Sequence, residues 1–429
     1  MRCLRFYFCT FVSEMKYNTA TLDNGLRIIH LPSNSQVIYC GYQICVGTRD
    51  EQVGEEGLAH FVEHVTFKGT KRRNSIQVIN ALENVGGELN AYTNKENTTY
   101  YAALLCEYLP RAVDLLSDIV FNSVYPRNEL EKEKEVIIEE IESYNDSPAE
   151  LIYDEFENIL FEGHPLGHNI LGTADNVRSF TSEDAQRFAR KFYRPENSVF
   201  FAYGNVEFSR LVKLIAKKLK CNLNYHIHKK HSISTFRMPY TTKNQSHSME
   251  IETDKGTHQA HVMLGSHAYD VHHPDRIALY LLNNMLGGPG LNARLSLSLR
   301  EKRGLVYTVE SMMTAYSDTG VWTVYFGCDH DDVKKCIRLV RKELEKFQKK
   351  PVSSRQLAMA KVQIKGQIGV ACDNRESFAL EFGKSFLQYG WEKDVERLYE
   401  QIDAVTTEQL QRVACDVFSE NKIITLIFR

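Results

Sequence analysis

The residues best suited to chemistry are two histidines and a glutamate in the run His60-Phe61-Val62-Glu63-His64. Apolar residues around this run recur closer to a helical period than to strand alternation, which predicts a helix over residues 57–68. Side chains four positions apart share one face of a helix, so His60 and His64 can present two imidazoles to a single Zn2+ ion. Glu63 lies beside His64 on nearly the same face, where it could take a proton from a water that the metal activates.

The order of residues in this run is H-x-x-E-H, the inverzincin pattern that reverses H-E-x-x-H. Histidines four positions apart also arise by chance, and the alternative is a helix with two satisfied or exposed histidines. A catalytic zinc needs a third protein ligand and keeps its fourth position for water. The run alone therefore predicts only part of a metal centre.

Carboxylates in the acid-rich helix predicted over residues 131–142 are candidates for the third ligand, because carboxylate oxygen is a suitable zinc donor. The competing residues are Glu131, Glu133, Glu135, Glu139, Glu140 and Glu142. Glu133 and Glu140 lie on one helical stripe and can face the same site. Charge runs on helices are usually solvated faces, so spacing leaves the choice among the six open.

Patterns on both sides of the histidine run indicate the elements that position it. A strand-like stretch with a turn at Asp23-Asn24-Gly25 precedes it, and residues 88–105 are predicted to form a hairpin of two strands. Residues 126–161 have a helical period that is interrupted at Asp146-Ser147-Pro148, which predicts two helices. A similar order of strands, hairpin and helices returns after residue 247.

The length of 429 residues favours two domains. Residues 223–247 are polar and without a sustained period, so they are the predicted linker between an N-terminal domain at 15–222 and a C-terminal domain at 248–429. Residues 1–14 are predicted to be a disordered or mis-started leader. Their apolar stretch is short, contains Arg5 and lacks the small-residue cleavage signal of a secretory peptide.

Composition argues against several classes of protein. The chain has 43% hydrophobic and 25% charged residues and a formal net charge of -3, which is typical of a globular protein and predicts no nucleic-acid partner. No apolar run approaches the roughly 18 residues that a membrane span needs, which predicts no membrane partner. The ten cysteines form no CxxC pair, which predicts reduced thiols and a cytoplasmic location.

Longer stretches resemble peptidase family M16, the pitrilysin, insulysin and mitochondrial-processing-peptidase group. They are GLAHFVEHVTFKGT, GGELNAYTNKENTTYYA, HPLGHNILGT, FYRPENSVFFAYGNV and LGGPGLNARLSLSLREKRGLVYTVES. The resemblance covers nearly all of residues 15–429 and implies one Zn2+ per chain. It implies that the third ligand is the glutamate 76 residues after His64, which is Glu140. Glu133, seven residues earlier, matches the second acidic residue usually found there.

The resemblance also implies a fold and an assembly. The implied fold is α+β, with two similar domains that are each an antiparallel sheet covered by helices and together form half of a clamshell chamber. The chain length resembles the short subfamily, in which two chains assemble. A homodimer would then have two composite sites, each combining the zinc of one chain with Arg300 and Tyr307 of its partner.

The predicted activity is that of a zinc-dependent endopeptidase acting on peptides or unfolded polypeptides. In this hypothesis Glu63 deprotonates the attacking water, and Glu133 orients a metal ligand. The resemblance implies that Arg300 and Tyr307 contact the substrate near the scissile bond, where Tyr307 could donate a hydrogen bond to the developing oxyanion. The strand ELNAYT is expected to receive the substrate as an added β-strand, with hydrogen bonds from Asn90 and Ala91.

Two other functions compete with this prediction. One is a non-catalytic scaffold or partner subunit with the same fold, a class that typically loses part of the metal set. The other is a peptidase that is active only with a different partner chain. The present chain retains the full set of His60, Glu63, His64, Glu140, Arg300 and Tyr307. This completeness favours a self-sufficient peptidase.

Overall fold

The computed structural model describes residues 16–220 and 248–429. The predicted leader at 1–14 and linker at 223–247 lie outside these described residues. Eleven strands are assigned in the described part: β1 Asn18–Thr21, β2 Arg27–Pro32, β3 Val37–Ile44, β4 Glu88–Thr93, β5 Thr98–Leu105, β6 Ser198–Gly204, β7 Met249–Thr253, β8 Ala260–Ala268, β9 Val306–Ala315, β10 Gly320–Cys328 and β11 Ile424–Phe428.

Helices account for most of the remaining regular structure. The α-helices are α1 Leu58–Thr66, α2 Ser75–Glu83, α3 Leu109–Asn122, α4 Arg127–Asn145, α5 Pro148–Leu160, α6 Ala174–Ser179, α7 Ser182–Phe192, α8 Phe208–Leu219, α9 Arg276–Gly287, α10 Val333–Lys349, α11 Ser354–Cys372, α12 Arg375–Tyr389, α13 Val395–Ala404 and α14 Thr407–Val417. A π-helix spans Ser296–Glu301. Short 3-10 helices are Thr48–Asp50, Cys106–Tyr108, Pro195–Asn197, His330–Asp332 and Glu420–Lys422.

The chain divides into two compact units. Unlike the predicted domains, neither unit is one continuous stretch of sequence. The described residues of the first unit are 16–141, 170–220 and 371–396. Those of the second unit are 142–169, 248–370 and 397–429. Each unit thus contains one segment that lies, in sequence, within the other half of the chain.

The first unit is built on a six-stranded sheet in the order β1-β2-β6-β3-β5-β4. The predicted hairpins β1–β2 and β4–β5 are both present and antiparallel. The pair β2–β6 is parallel, and the other pairs are antiparallel. Strand β4 is at the edge of this sheet and pairs with β5 alone among the described strands.

Helix α1 is fixed in the core of the first unit by its apolar face. Phe61, Val62 and Val65 belong to the same buried cluster as Ile137 and other apolar residues of α4. All four of these side chains are fully buried. Removing such side chains from water contributes about 1.5–3 kcal/mol each, so this packing holds the two helices that carry the predicted site residues.

The second unit is built on a five-stranded sheet in the order β7-β11-β8-β10-β9. Its one parallel pair is β7–β11, and β8, β9 and β10 form an antiparallel set around the predicted hairpin β9–β10. Helix α5 packs on this sheet, where a Cβ added at Gly265 would meet the Phe156 ring at 2.7 Å. The Trp322 carbonyl oxygen of β10 would be nearer still, so the neighbouring strand and α5 together require glycine at this position of β8.

Within residues 16–220 and 248–429, no helix is both long and apolar enough to cross a membrane. The cysteines of the described part are free thiols, namely Cys40, Cys45, Cys106, Cys328, Cys336, Cys372 and Cys415.

Candidate metal centre

Helix α1 begins abruptly after Gly57, which has a left-handed φ of 96°. Gly57 has no side chain to cap the first N–H groups of the helix. The Glu51 carboxylate accepts hydrogen bonds from backbone N–H groups at this end instead. Glu51 Oε2 lies 3.0 Å from Gly57 N, and Oε1 lies 2.7 Å from Ala59 N. A carboxylate at a helix N-terminus is favourable both as an acceptor and as a charge, so the start of the helix is fixed.

The two histidines of α1 lie one turn apart with ring centroids 4.6 Å from each other. Helix α4 brings Glu140 opposite them. Glu140 Oε1 is 3.8 Å from His60 Nε2, and Glu140 Oε2 is 3.3 Å from His64 Nε2. One potential ligand atom from each of the three residues lies within 4.8 Å of the others, which is close enough for a shared metal ion.

The other nitrogen of His64 is held by Glu133, whose Oε1 lies 3.0 Å from Nδ1. Glu133 Oε2 is in turn 2.5 Å from Lys68 Nζ. When His64 loses one proton to bind a metal, a proton kept on Nδ1 and directed at Glu133 would leave the Nε2 lone pair for the ion. A carboxylate at the non-ligating nitrogen is the usual outer contact of a metal-binding histidine. Glu133 is buried at 7% exposure, so this orientation is protected from water.

The environment of His60 also suits a ligand. Its Nδ1 is buried without a hydrogen-bond partner in the described structure, so the polar contact of this ring is made through Nε2, towards Glu140. Burial and the neighbouring His64 lower the pKa of His60 to about 4, so it is a neutral imidazole at pH 7. Two imidazole nitrogens and one carboxylate oxygen form a donor set that fits zinc.

The charges around His64 and Glu140 stabilise one another. Burial alone lowers the pKa of His64, but hydrogen bonds to Glu133 and Glu140 and the nearby negative charges raise it to about 9. The same hydrogen bond from His64 holds the pKa of Glu140 below its ordinary value. Since a ligating imidazole must be deprotonated, loading this site at neutral pH would release a proton from His64.

Glu63 lies beside the cluster and is nearly as buried as His60, with 8% of its surface exposed. Burial raises the pKa of this carboxyl, and a hydrogen bond from Thr93 partly opposes that effect. Thr93 Oγ1 donates to Glu63 Oε2 at 2.7 Å. This hydrogen bond fixes Oε2 of Glu63 and leaves Oε1 as the oxygen that can accept a proton.

Sequence reasoning missed Thr93 and Lys68 as parts of this site. Strand alternation was the available signal for Thr93, because it lies two residues after Ala91 and therefore on the same face of β4. Lys68 follows the end of α1, and its charge gave no indication that it would reach Glu133 on another helix.

Asn90 and Ala91 lie in the middle of the edge strand β4, opposite Tyr101 and Tyr100 of β5. Asn90 is exposed and Ala91 is half-buried. An edge strand has backbone N–H and C=O groups that no neighbouring strand takes, which is the feature needed for pairing with an extended peptide.

The structure places Arg300 and Tyr307 together in the second unit. Arg300 is in the last turn of the π-helix, and Tyr307 lies near the start of β9. The Arg300 guanidinium carbon is 5.6 Å from the Tyr307 ring centroid, and its Nε is 3.6 Å from Glu301 Oε1. Tyr307 is 85% exposed, so its side chain lies largely in solvent.

Two sheet-and-helix units, with a histidine-histidine-glutamate cluster on the helices of the first, define an α+β protein with a candidate metal centre. Two family models match the chain. Residues 28–174 match the family described as insulinase (peptidase family M16), and residues 179–364 match the peptidase M16 inactive domain. The chain belongs to peptidase family M16, and the predicted two-domain α+β fold of this family is confirmed.

Relatives match over nearly the whole length. The uncharacterized zinc protease YmxG of Bacillus subtilis is 31% identical over 95% of this chain and 97% of its own length. An uncharacterized zinc protease of Streptomyces coelicolor is 32% identical over 95% of this chain and 88% of its own. The structure of a protease from Helicobacter pylori has the same fold, with a TM-score of 0.88, 24% identity and coverage of 97% of this chain and 99% of the other.

Proposed function

We propose that this protein is a zinc-dependent endopeptidase that hydrolyses peptides or unfolded polypeptides. The observation that carries the proposal is the convergence of His60, His64 and Glu140, with ligand atoms within 4.8 Å, beside the buried carboxyl of Glu63. Membership of family M16 and the zinc protease names of the relatives support the same function. The proposed stoichiometry is one Zn2+ per chain.

In the proposed mechanism His60, His64 and Glu140 would hold the metal. When bound, Zn2+ supplies a Lewis acid that lowers the pKa of an attacking water. Glu63 would accept a proton from the attacking water at Oε1, while Thr93 donates a hydrogen bond to Glu63 Oε2. The raised pKa of Glu63 suits this role, because a base with a pKa nearer neutrality can also return the proton to the leaving amine.

The same proposal assigns substrate contacts. The free edge of β4 would pair with an extended peptide, with Asn90 and Ala91 at its centre. The exposed hydroxyl of Tyr307 would donate a hydrogen bond to the developing oxyanion, and Arg300 would hold the substrate. We place these two residues in the site of the partner chain of a homodimer, as the sequence resemblance implies.

A non-catalytic scaffold is the second candidate function. The description of residues 179–364 as an inactive domain favours it for that segment. However, the proposed metal ligands and base all lie within residues 28–174, which match the insulinase model. A peptidase whose metal chemistry resides in the first unit is compatible with both matches.

Replacing Glu63 by glutamine tests the proposal, because Glu63→Gln keeps the shape of the side chain but removes its basic carboxylate. We expect unchanged zinc content and a fall in kcat of at least about 100-fold, the typical contribution of a general base. Glu139→Gln is a matched control, since Glu139 is an exposed neighbour of Glu140 outside the site. Peptide cleavage by Glu63→Gln at the wild-type rate would exclude Glu63 as the base.

A further inference from the structure

A positively charged cavity lies in the second unit, between the π-helix region and α10. It is a cavity of about 420 Å3. Its cationic lining residues are Arg294, Lys302, Arg303, Lys342 and Lys346, and its acidic lining residue is Glu343. Leu297 and Leu339 add apolar surface. The lining therefore carries five positive charges against one negative charge.

Part of this positive charge is already matched. Lys346 Nζ lies 2.6 Å from Glu343 Oε1, which matches one charge. Arg303 donates to the neutral Ser298 carbonyl oxygen at 2.6 Å, so one of its N–H groups is satisfied but its charge is not matched. Arg294, Lys302 and Lys342 form no ion pair with any carboxylate of the described residues. The single carboxylate of Glu343 does not balance the lining cations, so they repel one another unless a further anion lies between them.

Arg294 distinguishes this cavity from a solvated lysine surface. Its guanidinium carbon is 3.7 Å from the ring centroid of Phe347, which is itself 2% exposed. The side chain is half-buried, and burial lowers its pKa, although the nearby Glu343 carboxylate partly opposes this effect. The contact with the ring holds the guanidinium in place, and a guanidinium can bind an anion at two points through its N–H groups.

We propose that this cavity binds a compact anion with two linked phosphate groups, either inorganic diphosphate or the diphosphate moiety of a nucleotide. The lining has five positive charges and one negative charge, which suits a ligand with several negative charges, and the fork of Arg294 suits phosphate oxygens. Phe347 is buried and already contacts Arg294, so its ring is not available to stack on a base. Recognition therefore rests on the phosphates.

This site is separate from the proposed peptide contacts. The bond from Lys302 N to Leu297 O spans five residues, so these two residues lie on one face of the π-helix region, and both line the cavity. Arg300, between them in sequence, does not line the cavity and instead packs on Tyr307. The anion site and the Arg300–Tyr307 pair thus use different faces of the same segment.

Isothermal titration calorimetry of the full chain with sodium diphosphate, ADP and orthophosphate tests the proposal. The variant Lys302→Gln/Lys342→Gln changes two exposed cavity lysines, which spares the buried packing of Arg294. Its matched control is Lys334→Gln/Arg338→Gln, two exposed cations on α10 outside the cavity. We expect the cavity variant to bind diphosphate at least about tenfold more weakly than wild type, and the control variant to bind as wild type does.

Comparison of the affinities for diphosphate, ADP and orthophosphate identifies the class of ligand. Diphosphate and ADP binding with similar affinity supports inorganic diphosphate chemistry, whereas much tighter ADP binding assigns the site to a nucleotide. Orthophosphate should bind at least about tenfold more weakly than diphosphate, because it cannot span the cations. Equal loss of diphosphate binding in both variants, unchanged binding in the cavity variant, or no binding to wild type would overturn the proposal. All three proteins keep the metal residues, so binding of diphosphate at the metal centre cannot imitate the expected difference.

Discussion

At the scale of single residues, the candidate site depends on hydrogen bonds that fix each polar group in one role. His64 is held through Nδ1 by Glu133, and Glu63 is held through Oε2 by Thr93. Each contact leaves the opposite atom of the same side chain to face the site. Preorganisation of this kind reduces the reorganisation needed during reaction, which is why small changes in such supporting residues affect rates.

Thr93 provides a prediction at this scale. Thr93→Val keeps the shape of the side chain but removes the hydroxyl that donates to Glu63, so we expect kcat to fall about tenfold, with KM and zinc content little changed. Thr93→Ser keeps the hydroxyl and should restore most of the rate. Steady-state kinetics on one quenched peptide measures both variants. If Thr93→Ser were as slow as Thr93→Val, the loss would reflect packing of the methyl group and not the hydrogen bond.

Some of these residue roles could be predicted from the sequence. The spacing of His60 and His64 predicts that they share a face, and the structure places them one turn apart. The choice between Glu133 and Glu140 could not be made from spacing, because both lie on one stripe of α4 and both contact His64. Which nitrogen each carboxylate meets depends on how α4 lies against α1.

At the scale of elements, the beginning of α1 decides where the histidines lie. Gly57 has a φ of 96°, and a Cβ at this position would meet Leu171 O at 2.6 Å and Gly172 Cα at 2.9 Å. Both the backbone conformation and the close approach of the neighbouring loop therefore require glycine. Nearby Gly54 has a similar φ of 89° but nothing within 4 Å of its Cβ position.

Substituting alanine at Gly54 and at Gly57 separates the cost of backbone strain from the cost of displacing the neighbouring loop. Gly54→Ala should cost about 1 kcal/mol of unfolding free energy through backbone strain alone. Gly57→Ala should cost more, at least about 2 kcal/mol, because the loop must also move, and its zinc affinity should fall since the first turn of α1 shifts. Denaturant unfolding of both variants and zinc titration measure the difference. Equal destabilisation by the two substitutions would show that contact with the loop at Leu171 and Gly172 is unimportant.

At the scale of the whole molecule, the sequence predicts elements better than their grouping. The break at Asp146-Ser147-Pro148 correctly divides α4 from α5, yet α5 belongs to the second unit and α12 to the first. An amphipathic pattern shows which face of a helix is buried but not which sheet covers it. Pairing of distant segments, such as α12 on β3 and β6, is decided by complementary packing that local patterns do not contain.

The proposed homodimer with composite sites leads to a complementation prediction. Glu63→Gln chains and Tyr307→Phe chains should each be weakly active as homodimers. A mixed dimer would combine an intact Glu63 with an intact Tyr307 in one of its two sites. Random exchange of equal amounts should therefore restore about a quarter of wild-type activity. Affinity capture of one of two differently tagged chains confirms mixing. A mixed preparation no more active than its components would refute sites shared between chains.

The most direct test of the central claim is elemental analysis of the purified protein, paired with cleavage of a quenched peptide library before and after chelation. We predict one zinc per chain, cleavage that is lost on chelation and recovery of cleavage when zinc is returned. Failure to bind zinc on addition, or cleavage that persists in the metal-free protein, would contradict a catalytic metal centre at His60, His64 and Glu140.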